Sequence, residues 1–222
     1  MTKFLIIRHA ESDKTLSNIH GGSGKIITEQ GKQDIKKLTN FMGKSFAESF
    51  KFAQIYSSTV QQVKLTAVLL SESINVPIKF NEKLRNIDMG ILDGLSDEEA
   101  TNRYPDVMRR LRMWREGRLD VSEIKIPNAE PLSQFVERIR KILETTITRK
   151  DELNIFIVTR SVGIAIINIL LEKSMLEGKA YTRFRLDPCS ATLVETTTLG
   201  LGKLVYINDT NFLERTISYP DD

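Results

Sequence analysis

Thiols and imidazoles are nearly absent from this chain. Of 222 residues, one is cysteine, Cys189, and two are histidine, His9 and His20. A single cysteine excludes a disulfide within the chain and any thiol cluster for zinc. Two histidines among scattered carboxylates give no metal-ligand spacing, so neither a metal nor another cofactor is expected. No apolar run reaches the ~20 residues of a membrane span. The longest, Val162 to Leu171, is interrupted by Asn168. The first residues lead into a short apolar run without the longer hydrophobic stretch of a signal peptide. We therefore expect a cytoplasmic chain that does not meet a membrane. No glycine-rich nucleotide loop follows any apolar run, which disfavours dinucleotide-binding and P-loop enzymes. A strong charge of one sign is also missing: 32 Lys and Arg stand against 29 Asp and Glu, a net +3. That balance suits a small anionic partner without demanding nucleic acid, and no nucleic-acid-binding motif is present.

What the chain does have is alternation. Lys3 to Ile7 is a short continuous apolar run, as in a strand buried on both faces. A polar, glycine-bearing loop follows over 13–25. Thr28-Glu29-Gln30-Gly31 then opens a helix whose Ile35, Leu38, Phe41 and Met42 share one side. Phe52 to Tyr56 reads as a strand, Thr59 to Ser73 as a helix, and Val76 to Phe80 as a third strand. Glu130 to Ile147 is periodic through Leu132, Phe135, Val136, Ile139 and Leu143. Leu153 to Val158 is a fourth strand, followed by an apolar helix to Leu171. Ala191 to Glu195 and Lys203 to Ile207 read as final strands, split by the turn Leu199-Gly200-Leu201-Gly202. Strands alternating with helices predict an α/β three-layer sandwich around a mostly parallel sheet. Residues 96–128 break the rhythm. Ser96-Asp97-Glu98-Glu99 starts a helix with good capping chemistry, and we expect a helical cap inserted over the carboxyl edge of the sheet. The length fits a single domain over 1–222 that includes this insertion.

The first strand delivers Arg8 and His9 to its carboxyl end. An imidazole beside a fixed guanidinium can attack a phosphoryl group whose charge the arginine holds. A surface Arg-His pair after an edge strand is the plainer reading of these two residues alone.

Five further segments change that balance. Arg8-His9-Ala10-Glu11-Ser12 resembles the Arg-His-Gly-Glu signature of the histidine phosphatase superfamily, the phosphoglycerate mutase-like proteins. Asn18 falls where that family has an asparagine after the signature. Ser57-Ser58 with Gln62 and Thr66-Ala67 resembles its Ser-Ser helix motif. Leu84-Arg85-Asn86, followed by Gly90 and Asp93-Gly94, is similar to its Leu-x-Glu loop. Val158-Thr159-Arg160-Ser161 falls on its Val-x-His segment, and Leu204 to Thr210 on a recurrent final strand. The resemblance runs from Lys3 to about Leu213 and implies a phosphoglycerate mutase-like fold.

It also implies a chemistry. In the family one histidine takes the phosphoryl group as phosphohistidine. Two arginines and a second histidine hold its oxygens, and a carboxylic acid serves the leaving group. By position, His9 is the nucleophile and Arg8 one clamp. Three other positions depart. Gln62 replaces the second arginine and brings hydrogen bonding without charge. Asn86 stands at the acid position, where an amide has no proton to give. Arg160 replaces the second histidine; arginine supplies a fixed charge and a forked donor set but no proton shuttle. Asn18, Ser58, Gln62 and Asn86 are carried over as substrate-binding positions. Asp88 or Glu11 is the candidate substitute acid or base. Asp88 lies two residues past Asn86 and would point the same way in an extended segment, although it and Asp93 also suit loop capping.

Other residues have two readings each. Glu130 falls near the pocket rim in the family, or is a helix-start carboxylate. His20 touches a ligand, or sits solvated in its Gly-Gly loop. The arginines of 109–118 guide an anion, or form a basic face around Met108, Leu111 and Trp114. Cys189, near the family's pocket wall, reads as a small packed residue. Three functional readings follow. The first is a phosphohydrolase or phosphotransferase acting through His9 on a small phosphorylated anion, with altered acid chemistry. The second is a pseudophosphatase that binds a phosphorylated ligand or partner protein. The third is a homodimeric scaffold with a vestigial pocket.

Overall fold

The structure is a computed structural model describing residues 1–17, 19–22, 24–46, 51–147, 152–172 and 181–214. Six strands form one sheet: β1 (Thr2–Arg8), β2 (Lys51–Ser57), β3 (Ile78–Phe80), β4 (Glu152–Val158), β5 (Ala191–Thr196) and β6 (Lys203–Asp209). Their spatial order is β3-β2-β4-β1-β5-β6. Neighbours from β3 to β1 pair in parallel, and β5 alone runs against the rest. The fold is thus the α/β sandwich expected of phosphoglycerate mutase-like proteins.

Seven α-helices accompany the sheet among the described residues: α1 (Asp13–Ser17), α2 (Glu29–Phe46), α3 (Gln61–Ile74), α4 (Asp97–Arg103), α5 (Pro105–Arg115), α6 (Leu132–Thr146) and α7 (Arg160–Leu171). Both faces of the sheet are covered, which is why β1 and β4 are apolar nearly throughout. Alternate residues of β1 face opposite layers. Phe4 and Ile6 pack with Phe156, Phe135, Ile139 and Val162 on the α6–α7 side. Leu5 and Ile7 pack with Ile155, Leu38, Val63 and Leu70 on the α2–α3 side. Tyr56 stacks on Phe156 with ring centroids 4.8 Å apart.

Local chemistry sets where elements end. Pro77 precedes β3 and has no N–H for the ladder, so the strand begins at Ile78 rather than Val76; the Pro77 carbonyl accepts from Ile55 N at 3.0 Å. Pro131 occupies the N-cap of α6, which leaves Glu130 outside the helix. Residues 13–25 are not all loop: α1 forms there, and the Asp13 carboxylate accepts from the backbone of Lys14, Lys25 and Ile26. These hydrogen bonds hold Asp13 below the usual carboxylate range, although the largest single effect, burial, acts the other way. No described helix is long and apolar enough to cross a membrane.

The cap carries its own apolar cluster of Leu92, Ala100, Val107, Met108, Leu111 and Ile124. Its first helix starts on the expected capping box. Ser96 Oγ accepts from Glu99 N at 3.2 Å, and the Glu99 carboxylate accepts from Ser96 N at 2.9 Å. Backbone hydrogen bonds between His20 and the 94–95 turn tie the base of the cap to the loop after β1.

Candidate active site

Register alone brings the first groups together. β1 and β4 are parallel with Arg8 opposite Val158, so His9 and Thr159-Arg160 leave the sheet side by side. His9 N donates to Val158 O at 2.9 Å. β2 lies on the other side of β4, with Ser57 opposite Ile157, and releases α3 and Gln62 toward the same end. Ligands of α/β sheets bind outside such carboxyl ends.

The His9 ring lies close to its own chain. Its Nδ1 is 2.8 Å from Ala10 O. A carbonyl oxygen only accepts, so Nδ1 carries the hydrogen and Nε2 the lone pair. Burial, and then the neighbouring Arg8 charge, push the His9 pKa down to about 3. The imidazole is therefore neutral across the physiological range, as a nitrogen nucleophile must be.

His9 opens into a cavity of about 370 Å³. Among the described residues, four cations line it, Arg8, Lys14, Arg115 and Arg160, against one carboxylate, Asp97. Arg8 is steadied by donating to Leu186 O at 2.7 Å. Arg160 is the first residue of α7, so its guanidinium stands beside that helix's amino end, where anions are favoured. Asn86 also lines the cavity. Its backbone carbonyl accepts from Arg138 at 2.9 Å, and its Oδ1 accepts from Ser161 Oγ at 3.4 Å. Gln62 lines it too, and its Oε1 accepts from Gly24 N at 2.9 Å, bracing the loop after β1.

Arg8, His9, Gln62, Asn86 and Arg160 thus meet in one cavity; Asn18 lies outside the described residues. Other expected residues are placed elsewhere. Ser58 is buried at the entry to α3, where its Oγ accepts from Val60 N at 3.3 Å, and it does not line the cavity. Glu11 is turned toward α2, and its carboxylate accepts from Thr28 Oγ1 at 2.6 Å. Asp88 turns back on its own loop, where Oδ1 accepts from Gly90 N at 2.8 Å, and it faces a second chamber under the cap. Neither carboxylate lines the cavity that His9 opens into. Asp93 accepts from Met89 N at 3.3 Å, a loop-capping role. Glu130 is paired with Arg138 at 2.7 Å. Burial would raise its pKa, but the Arg138 hydrogen bond and charge hold it below the usual range.

Of the residues given two readings, His20 and Arg115 reach the cavity; Lys14 and Thr15 were not singled out in the sequence. His20 is buried rather than solvated, lines the cavity, and lies 3.0 Å from the Asp97 carboxylate. Arg115 alone of the 109–118 arginines reaches this cavity, 3.8 Å from Asp97. Lys14 and Thr15 come from α1. Lys14 donates to Gly22 O at 3.0 Å. Burial lowers its pKa to about 8; the nearby Asp93 charge opposes that shift and Arg8 adds to it. Cys189 is fully buried beneath β1, its N–H donating to Arg8 O at 3.1 Å.

Residues 4–210 match the histidine phosphatase superfamily, branch 1. The chain belongs to that superfamily. Phosphoserine phosphatase 1 of Hydrogenobacter thermophilus is 26% identical over 163 residues, which cover 73% of this chain and 72% of that protein. A probable phosphoglycerate mutase, GpmB of Erwinia tasmaniensis, is 25% identical over 207 residues, covering 88% and 85%. Among solved structures, Bacillus stearothermophilus YhfR superposes with a TM-score of 0.75 at 19% identity over 96% of this chain and 100% of its own. The vanadate-bound mycobacterial glucosyl-3-phosphoglycerate phosphatase Rv2419c gives 0.74 at 17% identity, covering 94% and 99%. These structural likenesses concern the fold. Histidine phosphatase membership, with phosphatases and mutases among the relatives, supports phosphohydrolase or phosphomutase activity for this chain.

Proposed function

We propose that this histidine phosphatase is a phosphohydrolase acting through a phosphohistidine at His9, on esters or anhydrides whose leaving group departs without a proton. The observation that carries the reading is the Nδ1 contact to Ala10 O, which leaves Nε2 as the bare nitrogen beside four cations. Nε2 attacks phosphorus while Arg8 and Arg160 hold the equatorial oxygens. Phosphoryl transfer depends mainly on such positioning and charge. Asn86 has no proton for the departing oxygen. A missing general acid costs on the order of 10²–10⁴ in rate, and alkyl phosphates suffer most. Acyl phosphates, aryl phosphates and phosphoanhydrides suffer least.

The test is brief incubation with labelled acetyl phosphate and detection of acid-labile, base-stable label. Label on the native chain and none on His9→Ala is expected. Absence of label on the native chain under single-turnover conditions would overturn the reading. The triple departure at Gln62, Asn86 and Arg160 favours a second reading, a pseudophosphatase that holds a phosphorylated ligand. That reading predicts phosphate binding without label.

A further inference from the structure

A second chamber of about 480 Å³ lies under the cap, beside the phosphate cavity. The two share the lining residues Ile87, Met89, Arg115, Arg160 and Ser161, so they adjoin at the Arg115–Arg160 pair. The chamber's character is different. Leu111, Trp114 and Ile124 of the cap face Leu132, Phe135 and Ile164 of the body. Its two carboxylates are engaged already. Glu130 is held by Arg138 and, at 3.4 Å, by Arg85, and Asp88 caps Gly90. Arg115 and Arg160 stand at the shared edge and Lys125 also lines the chamber, so a second anionic group is the competing occupant to test. Two of the aromatic walls are braced by guanidinium groups: Arg138 lies 4.7 Å from the centroid of Phe135 and Arg183 5.6 Å from that of Trp114. Walls fixed beforehand lower the ordering cost of binding.

We infer that this chamber seats the leaving group, and that the substrate class is an aryl phosphate with a bicyclic or larger apolar body. This rests on the phosphohistidine reading and deepens it. A cavity of about 150 Å³ is enough for benzene, so this chamber has room for fused rings. The chamber and the amide at position 86 agree chemically. An aryloxide is stable enough to leave unprotonated, and an aryl group is what the apolar walls accept. His9 Nε2 forms a bond to phosphorus as the phosphorus–aryloxygen bond breaks. The electron pair leaves with the aryloxide, which takes a proton from water. A second water then attacks phosphorus, the nitrogen–phosphorus bond breaks, and inorganic phosphate is released.

The test compares 2-naphthyl phosphate, phenyl phosphate and a bisphosphate of similar size on the native chain. The two phenols are similar leaving groups, so any difference reports the chamber. The extra ring should raise kcat/KM tenfold or more, since apolar burial scales with area. Trp114 is the only tryptophan in the chain and lines the chamber. Its fluorescence should respond to a naphthyl phosphonate and not to methyl phosphonate. Val121 also lines the chamber, and filling it with Val121→Trp should erase the naphthyl preference while labelling of His9 by acetyl phosphate stays unchanged. If that variant does not fold, the native-chain kinetics and fluorescence decide. Equal rates for phenyl and naphthyl esters, equal responses to the two phosphonates, or preference for the bisphosphate would overturn the inference. Loss of all His9 labelling would instead sink the phosphohistidine reading, while the fluorescence comparison still tests the chamber.

Discussion

His9 and Val158 are joined by a 2.9 Å backbone hydrogen bond that carries the β1–β4 pairing one residue past Arg8. Because the two strands are parallel, the next residues on β4 turn into α7 beside the imidazole. Arg160 thereby stands where it can hold a phosphoryl group on His9. Arg160→Ala should weaken phosphate binding roughly ten- to hundredfold, the worth of one or two charge-assisted hydrogen bonds. Titration calorimetry with inorganic phosphate would measure it. Unchanged affinity would remove Arg160 from the site.

Asn86 is anchored through its backbone carbonyl by Arg138, so a side-chain exchange there leaves the loop in place. Asn86→Glu should supply the absent proton donor. Turnover of an alkyl phosphate such as glycerol phosphate should rise by about 10²–10⁴, with a much smaller gain for aryl phosphates. Steady-state rates on the two substrate types, assayed side by side, check the asymmetry. A uniform gain would mean the exchange acts through charge alone.

Lys14 sets a pH limit on anion binding. Its pKa of about 8 lies below the ordinary lysine value because burial disfavours the charge. The cavity therefore loses one of its four cations as pH rises through 8, and affinity for an anion should fall there. Sulfate is the useful probe because it does not itself titrate in that range. Lys14→Arg should carry binding to higher pH, and Lys14→Met should flatten the profile. The stability effect has the opposite sign. Between pH 8 and 10.5 the folded chain has shed a proton that the unfolded chain still holds, so this group's opposition to folding fades across that window.

Gly90 joins the loop after Asn86 to the far end of the cap. Its φ is +55°, and a Cβ there would lie 2.2 Å from Pro127 O and 2.5 Å from Ala129 N. Gly90→Ala should cost about 1–2 kcal/mol from the left-handed backbone alone, plus the displacement of residues 127–129. A lowered urea midpoint would register the first, and weaker naphthyl phosphonate binding the second. A neutral substitution would mean the cap closes by another route.

Much of the fold was legible because strands buried on both faces carry continuous apolar runs, as β1 does over Phe4 to Ile7 and β4 over Ile155 to Val158. The five-residue α1 was not, since no apolar period marks it and the Asp13 carboxylate holds it from the side. Of the two readings of Asp88, the structure shows the loop-capping one. Period-two reasoning assumes an extended chain, whereas the chain turns at Met89, with φ −91° and ψ 8°, and again at Gly90, and the carboxylate caps that turn.

By itself, the order of residues determined the family, the Arg8-His9 pair at the end of the first strand, and the amide at position 86. These are local matters of side-chain chemistry and strand pattern. Only the tertiary structure decided that Lys14, His20 and Arg115 complete the cavity and that an apolar chamber adjoins it. Those groups arrive on a loop and a cap whose directions depend on contacts between distant segments, such as His20 with Leu95 and Gly90 with Pro127. No periodicity within one segment records such contacts.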